Sequence, residues 1–368
     1  MKIKCNREKL ATLFNLAASV IPTRSPKPIL MNVKLEVFGS TATLTATDLQ
    51  VGIRAELTDI TIETPGVIAL PAKSVAAILR ESSDEELTIE SDGTSTLIHG
   101  AKSRFKLPTV DPAEFPSVPE FAFEAYHELA PKFFKETSRR TAFATDEESS
   151  RYALGGVLLE LEEESLTAVG TDGRRLACQK GPAKAINGHE ATGSTVIPTR
   201  SLHLIERALS DQEETMKVAV DENSVTVQCG SVTIFSRLVE GRFPRWRDVF
   251  PEKDGMTEMS MIVGPLLAAA RQASILTERE EPGVDYKLGN GVMELKSHGD
   301  SLGDSQVELP IPYEGDEVVV RLDPFFMMDF LRLLDLEQTF RMYFLDSETA
   351  VLFETDDQYG YVIMPMVD

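Results

Sequence analysis

Few residues of this sequence are candidates for catalysis, and the clearest of them is an aspartate in a turn. Asp172 stands between Thr171 and Gly173, directly after an apolar stretch. A carboxylate in such a place could act as an acid or a base, but an aspartate before a glycine far more often builds the turn itself. Its side chain accepts hydrogen bonds from the backbone, and glycine adopts the positive φ that a turn needs. We therefore predict that Asp172 shapes a turn and is not catalytic.

Other searches for reactive groups find no candidate. The sequence contains no GxxxxGK[ST] phosphate loop, HExxH zinc pair, GxSxG elbow or GxGxxG turn. Its five histidines are dispersed, without the spacing of metal ligands: His99, His127, His189, His203 and His298. We predict that the protein is not an enzyme and that it holds no cofactor and no metal.

The cysteines and the apolar runs indicate the compartment. The three cysteines, Cys5, Cys178 and Cys229, are far apart and form no CxxC pair. Reduced thiols in a cytoplasmic protein are the simplest interpretation. The N-terminal stretch lacks the apolar run of a signal peptide, and no segment approaches the roughly 18 apolar residues of a membrane helix. We expect a cytoplasmic protein without a membrane partner.

Basic side chains recur at matching places on predicted helices. Lys73 and Arg80 share one helix face at i and i+7, and Arg200 and Arg207 do the same exactly one repeat later, 127 residues along the chain. In a third helix, Lys132, Lys135 and Arg139 fall at i, i+3 and i+7. For any single helix, a solvated face is the more frequent explanation of such a pattern.

The acidic residues are distributed differently, and this changes the interpretation. The chain carries a net charge of −22, which by itself argues against binding to nucleic acid. Its acidic runs fall at predicted turns and ends: Asp84 to Glu86, Asp146 to Glu148, Glu162 to Glu164, and Glu278 to Glu281. Cations kept on helix faces and acids kept at turns would give one positive and one negative surface. A polyanion such as DNA would be drawn to the first.

A threefold internal repeat supplies the elements that position these residues. A similar helix start occurs at Leu70 to Val75, at Ile197 to Leu202 and, more loosely, at Leu322 to Phe325, with offsets of 127 and 125 residues. A hairpin and turn recur as well, since Thr41 to Asp48 matches Ser165 to Asp172. A period of this length is that of a whole domain. We predict three domains at residues 1–121, 122–250 and 251–368.

Periodicity within the first copy indicates an α+β domain with two helices and antiparallel strands. Leu10, Leu13, Phe14 and Ala17 have the spacing of one apolar helix face. The alternation from Asn32 to Val37 predicts a half-buried strand, and a second helix is expected from Pro71 to about Arg80. The proline-rich segments Leu107 to Pro119 and Phe243 to Pro251 are predicted as linkers between copies.

Several motifs, spread over essentially the whole chain, give this sequence a resemblance to a known family. They are Pro28-Ile29-Leu30 with Asn32, Thr47-Asp48-Leu49, Ser103-Arg104-Phe105, Arg151-Tyr152, Thr171-Asp172-Gly173 with Arg175-Leu176, Leu238 to Pro244, and Tyr361 to Met366. In these the chain resembles the bacterial sliding clamps, the beta subunits of DNA polymerase III. The resemblance implies three tandem DNA-clamp domains and a head-to-tail homodimer that closes a six-domain ring around duplex DNA.

The resemblance also implies DNA-contacting and interface residues. Sequence-independent DNA contacts are expected at Arg24, Lys73, Arg80, Tyr152 and Arg200, and helix-face geometry adds Lys132, Lys135, Arg139 and Arg207. The family often has a second aromatic residue after Tyr152, where this chain has Ala153. The dimer interface is expected to join Lys102, Arg104, Phe105 and Leu107 to Ile275, Leu276, Asp300, Asp304 and Glu308.

Finally, the resemblance implies a pocket that binds short linear peptides of partner proteins. The expected pocket residues are Leu154, Thr171, Gly173, Arg174, Arg175, Leu176, Pro244, Val249, Phe326, Val362, Met364, Pro365 and Met366. The partners implied are the polymerase III alpha subunit, the clamp loader, other polymerases and repair proteins. The chain departs from the family at Asp248 and at Val367-Asp368, where cations or apolar residues are more usual, so the preferred peptides could differ.

The sequence therefore predicts a non-enzymatic clamp that encircles duplex DNA and tethers the replicative polymerase and other proteins to it. A three-domain protein-binding scaffold that never encircles DNA is the alternative. The helix cations distinguish the two, because only the clamp requires them.

Overall fold

Six helices, two in each copy of the predicted repeat, are present in the computed structural model, which describes residues 1–149, 153–191, 194–210, 213–278, 282–299 and 302–366. They are α1 (Arg7–Ala18), α2 (Ala72–Glu81), α3 (Pro131–Ala142), α4 (Thr199–Ala208), α5 (Val263–Ala273) and α6 (Pro324–Leu331). The prediction of two helices per copy is confirmed.

The strands of the described residues are numbered along the chain. The first copy contains β1 (Lys2–Asn6), β2 (Asn32–Phe38), β3 (Thr41–Thr47), β4 (Val51–Leu57), β5 (Thr61–Thr64), β6 (Gly66–Pro71), β7 (Glu86–Ser91), β8 (Ser95–His99) and β9 (Arg104–Pro108). The second contains β10 (Tyr126–Leu129), β11 (Gly156–Leu161), β12 (Ser165–Thr171), β13 (Arg175–Pro182), β14 (Lys184–Ile186), β15 (Val196–Pro198), β16 (Met216–Asp221), β17 (Ser224–Cys229) and β18 (Val232–Arg237). The third contains β19 (Thr257–Ile262), β20 (Val284–Gly289), β21 (Val292–Gly299), β22 (Gly303–Pro310), β23 (Val318–Leu322), β24 (Thr339–Phe344), β25 (Val351–Glu354) and β26 (Tyr359–Ile363).

Two compact units are formed by these elements. The first comprises Met1–Phe134, Ala183–Gly193 and Arg200–Leu238, and the second comprises Lys135–Pro182, Ser194–Thr199 and Val239–Asp368. In the first unit, β5-β1-β7-β8-β9 form one sheet and β14-β10-β16-β17-β18-β4-β3-β2-β6 form another. In the second unit the sheets have the orders β15-β11-β12-β13-β26-β25-β24-β19 and β22-β21-β20-β23. Adjacent copies of the repeat thus contribute strands to one sheet, since β4 pairs with β18 and β13 with β26, both antiparallel.

The helices form where the sequence provides a cap and an apolar face. Asn6 caps α1 by accepting hydrogen bonds from the backbone of Glu8 and Lys9, and Leu10 and Phe14 are buried beneath it. In α2 the buried residues include Val75, Ile78 and Leu79, while Lys73 and Arg80 are exposed. The helix-face prediction for α2 is therefore confirmed.

The proline-rich segments predicted as linkers are packed against the sheets. In the first segment Phe115 and Val118 are only 8% and 5% exposed, and a Cβ added to Gly52 on β4 would lie 2.6 Å from the Val118 side chain. In the second, Phe243 belongs to a buried apolar cluster. Their role as linkers between copies stays a prediction, but they are not solvated throughout, because apolar side chains between the prolines are buried against neighbouring strands.

A buried histidine pair lies at the edge of the nine-stranded sheet, in the first unit. Nδ1 of His127 lies 2.7 Å from Nδ1 of His189, and the backbone N–H of Val220 donates to Nε2 of His189 at 3.2 Å. Because Nε2 accepts, His189 carries its proton on Nδ1 and donates it to His127, so both rings are neutral. Burial, and then the proximity of His127, lower the pKa of His189.

This pair predicts a loss of stability at mildly acidic pH. A histidine whose pKa is lowered by folding binds protons more readily when unfolded, so stability is fully present above pH ~6.5 and falls as the pH drops below it. We expect the midpoint of urea unfolding to decrease between pH 7.5 and 5.5, and to decrease less in His189→Gln. The His99→Gln variant, outside the pair, serves as the control and should follow the wild type. A pH dependence identical in His189→Gln and wild type would contradict this assignment.

Candidate functional site

The turn that first suggested a catalytic carboxylate is held by its own side chains. Thr171 Oγ1 donates to the carbonyl of Arg175 at 2.6 Å, and the Asp172 carboxylate accepts from the backbone N–H groups of Arg174 and Arg175 at 2.9 and 3.0 Å. Gly173 has a φ of 89°, which an L side chain would adopt only with strain. Asp172 therefore shapes the turn, as predicted.

The first copy of the repeat builds the same turn. Thr47 Oγ1 donates to the carbonyl of Val51 at 2.7 Å, and Asp48 accepts from the backbone of Gln50 and Val51 at 2.9 and 2.8 Å. Here the residue with positive φ is Leu49, at 80°. The match that the sequence suggested between Thr41 to Asp48 and Ser165 to Asp172 thus extends to individual hydrogen bonds.

Arg175 connects the second turn to the rest of its unit. Its guanidinium donates to Asp172 at 3.0 Å, to Asp329 at 2.8 Å and to the backbone carbonyl of Phe143 at 2.9 Å. It also lies 4.3 Å from the ring centroid of Phe326, a cation–π distance. Burial opposes this charge, but Tyr361 and then Asp329 more than offset it, so the pKa of Arg175 is raised. Arg175 is consequently a fixed cation.

Phe143 and Asp329 were missed by the sequence reasoning. They lie 32 and 154 residues from Arg175, and their roles depend on which strands pair. The partial signal was Arg175 itself, whose place in a repeated turn marked it as structural or functional.

Strand pairing brings the C-terminal stretch beside this turn. In the eight-stranded sheet Arg175 and Leu176 of β13 pair with Ile363 and Val362 of β26. Beyond the strand, the backbone N–H of Met364 donates to the carbonyl of Arg174 at 2.9 Å. Leu176 and Val362 also belong to one buried apolar cluster, which includes Phe243 and Leu352.

The predicted pocket residues thus all lie in the second unit, and they differ in exposure. Buried are Leu154, Thr171, Leu176 and Val362; half-buried are Arg175, Pro244, Phe326, Pro365 and Met366; exposed are Gly173, Arg174, Val249 and Met364. Val249 and Met364 expose 44% and 38% of their surface although both are apolar. Exposed apolar side chains and members of one buried apolar cluster thus both occur among these residues. Val367 and Asp368 lie outside the described residues.

The segment that carries Val249 is held in place by the only tryptophan of the sequence. Nε1 of Trp246 donates to Glu160 at 3.3 Å, and Arg247 forms a two-pronged ion pair with the same carboxylate at 2.8 and 2.7 Å. Arg247 also stacks on the Trp246 ring at 4.3 Å. Asp248, one of the residues that depart from the family pattern, is exposed, and its Oδ2 lies 3.3 Å from Nε of Arg245. The segment that carries Val249 therefore exposes charges of both signs.

The cations predicted for DNA binding in the first unit are at the surface. Arg24, Lys73, Arg80, Lys132, Arg200 and Arg207 are all exposed. On α4 the side chain of Arg200 is 55% exposed, yet it forms an ion pair with the half-buried Asp48 at 2.9 Å and donates to the carbonyl of Val20 at 3.3 Å. The repeated turn therefore also positions one of these cations.

Helix α3 combines surface cations with a buried one. Arg139 is exposed and Lys135 is half-buried. The next residue, Arg140, is buried: it forms ion pairs with Glu136 and Asp357 at 2.7 and 2.6 Å and lies over the Tyr359 ring. It stabilises the second unit and does not face solvent. Tyr152, the aromatic residue expected to touch DNA, lies outside the described residues.

Most of the described residues that are predicted for the interface lie in two edge strands, one in each unit. In the first unit β9 is an edge strand, with Arg104 exposed, Phe105 and Leu107 half-buried, and Lys102 exposed just before it. In the second unit β22 is an edge strand that exposes Asp304 and Glu308. Leu276 is half-buried, and Ile275, 71% exposed, is the most exposed large apolar side chain among the described residues. Asp300 lies outside the described residues.

In the parts of the chain that the structure describes, no group of three or more His, Cys, Asp or Glu side chains is placed to hold a metal ion. None of the helices found there is long and apolar enough to cross a membrane.

Three family models together match almost the whole chain. They describe the N-terminal, central and C-terminal domains of the DNA polymerase III beta subunit and match residues 1–119, 128–245 and 247–367. The beta sliding clamp of Pseudomonas putida is 28% identical, with all of both chains covered.

Solved structures give the same result. The DNA polymerase III subunit beta of Pseudomonas aeruginosa is similar with a TM-score of 0.91 and 27% identity, covering all of both chains. The DNA polymerase sliding clamp of Bacillus subtilis has a TM-score of 0.92 and 25% identity, covering all of this chain and 99% of that one. The chain belongs to the DNA polymerase III beta subunit family.

Proposed function

We propose that this protein is a DNA sliding clamp: a homodimeric ring that encircles duplex DNA and tethers the replicative polymerase and other proteins to it. The proposal combines family membership with one observation on this chain. In a protein with a net charge of −22, Lys73 and Arg80 on α2 and Arg200 and Arg207 on α4 stay exposed at repeat-related positions. A duplex would be held by its phosphates without readout of its bases.

Ring closure would use the two edge strands. Edge strands offer unpaired backbone groups to another chain, so β9 of one subunit and β22 of another can extend a sheet across a head-to-tail contact. The charges fit this pairing, because Lys102 and Arg104 accompany β9 while Asp304 and Glu308 lie on β22. The three clamp domains would be residues 1–121, 122–250 and 251–368, and the protein would act in the cytoplasm.

Partner proteins would dock on the apolar surface of the second unit. Its exposed Val249 and Met364 and its half-buried Pro244 and Phe326 suit an apolar peptide side chain. Methionine is flexible and polarisable, so the same surface can accommodate different anchors. Short linear peptides of the polymerase III alpha subunit, the clamp loader, other polymerases and repair proteins are the proposed ligands. Catalysis is not part of this proposal.

The proposed function is tested by measuring whether the protein stays on a DNA circle after the circle is cut. The protein is loaded onto a nicked circular plasmid, separated from free protein by gel filtration, and the plasmid is then cut once. A ring held only by topology should slide off the new ends, so bound protein should fall to the level seen with a plasmid that was linear from the start. Protein that remains bound after cutting would contradict the ring. Binding of partner peptides without any retention on circles would favour the scaffold.

A further inference from the structure

A buried carboxylate lies against the turn of the β8–β9 hairpin, in the first unit. Asp84 belongs to an acidic run for which the sequence suggested a solvated turn, but it is only 8% exposed. Ser82, also 8% exposed, donates to it through Oγ at 3.4 Å. The Asp84 carboxylate is therefore buried and hydrogen-bonded, unlike an exposed surface charge.

The partners of Asp84 lie in the turn that precedes the edge strand. Its Oδ1 accepts from the backbone N–H groups of Ala101 and Lys102 at 3.1 and 3.2 Å, and its Oδ2 accepts from Ser103 Oγ at 2.6 Å. The turn is closed by the N–H of Gly100, which donates to the carbonyl of Ser103 at 3.0 Å. One side chain thus binds three consecutive residues, and these residues lead directly into β9.

Close packing makes the contact specific. A Cβ added to Gly100 would lie 2.3 Å from the Asp84 carboxyl carbon, so only glycine lets the turn approach this closely. The pKa of Asp84 is lowered, chiefly by the hydrogen bond from Ser103. Burial has the next largest effect and opposes this shift, while the hydrogen bonds from Lys102 and Ala101 add to it. The group is therefore an anion at neutral pH, and its hydrogen bonds are charge-assisted.

The backbone of Asp84 is also fixed. Arg7, at the start of α1, donates through Nε to the carbonyl of Asp84 at 2.9 Å and through Nη1 to that of Leu79 at 3.2 Å. The carboxylate is consequently anchored to the end of α2 on one side and holds the hairpin turn on the other.

We propose that Asp84 is a positioning residue for the head-to-tail dimer contact, because it fixes the turn that presents Lys102 and Arg104 beside the edge strand. This inference rests on the proposed function, since it presumes that β9 forms the interface. Without the carboxylate, three donors of the turn lose their acceptor, and the two cations would sample orientations that do not meet the acidic partner edge. The effect would be on association of the subunits and on its charge dependence.

The test compares dimer dissociation constants, measured by sedimentation velocity at low and high salt. Asp84→Ala should raise the dissociation constant about tenfold at low salt, equivalent to ~1.4 kcal/mol, and should reduce its salt dependence. Asp84→Asn should retain most of the affinity, because its Oδ1 can still accept from Ala101 and Lys102 while its amide donates to Ser103 Oγ.

Asp92 provides the matched control. It holds the β7–β8 turn in the same sheet by accepting from the backbone of Thr94 and Ser95, each at 2.8 Å, but that turn lies at the other end of β8. Asp92→Ala should leave the dissociation constant within twofold of the wild type. A cycle of Asp84→Ala with the pair Lys102→Ala and Arg104→Ala should be non-additive, since all three changes remove the same contact.

Each outcome decides a different statement. An Asp84→Ala dimer as tight as the wild type, or a cycle that is simply additive, would overturn the positioning role. Equal weakening by Asp92→Ala would reduce Asp84 to a general stabiliser of the sheet. A wild-type protein that stays monomeric at all concentrations would instead overturn the proposed ring.

Discussion

Reversing the charge of the exposed cations on α2 and α4 should shorten the lifetime of the protein on circular duplex DNA by at least about tenfold. The substitutions are Lys73→Glu, Arg80→Glu, Arg200→Glu and Arg207→Glu, all at exposed positions. If each wild-type side chain neutralises one phosphate, together they contribute roughly 3.6 to the slope of log K against log salt, which the variant should lose. Lifetimes are measured by gel filtration of preloaded nicked plasmid at several salt concentrations.

A control with the same change in net charge separates a local effect from a general one. Lys180, Lys184, Lys253 and Lys296 are exposed and lie in strands or loops. Their reversal to glutamate should leave the lifetime within about twofold of the wild type, because charges more than a Debye length of ~8 Å from the duplex are largely screened. If both variants behave alike, or if reversal on α2 and α4 has no effect, these helices do not face the DNA.

Among the four positions, Arg200 should contribute to DNA retention in a way that Lys73 does not. Arg200 is held by Asp48 and by the carbonyl of Val20, so part of its contribution would come from being oriented before the duplex arrives. Among the described residues Lys73 has no such tether, and its side chain is exposed. The single variant Arg200→Glu also places a carboxylate beside Asp48, which adds a local repulsion that Lys73→Glu lacks.

The parts of the fold that could be predicted from sequence are those determined locally. The spacing of Leu10, Phe14 and Ala17 predicts the buried face of α1, because all three lie within that helix. In the same way, the spacing of Lys73 and Ile78 within α2 predicts which of them is exposed and which is buried. The repeat was also visible, because a turn such as Thr171 to Arg175 needs the same residue types each time it is built. Such patterns depend on neighbours in sequence.

The parts that could not be predicted depend on neighbours in space. Arg140 and Asp357 form an ion pair across 217 residues, and nothing near either residue distinguishes it from a surface charge. Asp84 likewise stands in an acidic run, although it alone of that run is buried. A charged side chain becomes buried only when partners from other strands satisfy it, and those partners are known only once the strands are paired.

The apolar surface of the second unit should lose partner peptides when a charge is placed in it. Met364→Asp is expected to weaken binding of short peptides from the polymerase III alpha subunit by roughly thirtyfold, or ~2 kcal/mol, because burying the peptide would also bury an unpaired carboxylate. Met364 is 38% exposed and directly follows β26, so the substitution should spare the core. Fluorescence of Trp246, which packs beside the cluster under this surface, provides the readout.

Ile262→Asp is the matched control for that substitution. Ile262 is 49% exposed and ends β19 of the same eight-stranded sheet, where it pairs with Thr339 at the end opposite to Met364. It should bind the peptide as the wild type does, and both variants should keep the wild-type melting temperature. Peptide affinity that is unchanged in Met364→Asp, or lowered equally in Ile262→Asp, would place the peptide site elsewhere. A selective loss would instead locate the site next to the Thr171 to Arg175 turn, where the backbone N–H of Met364 donates to Arg174.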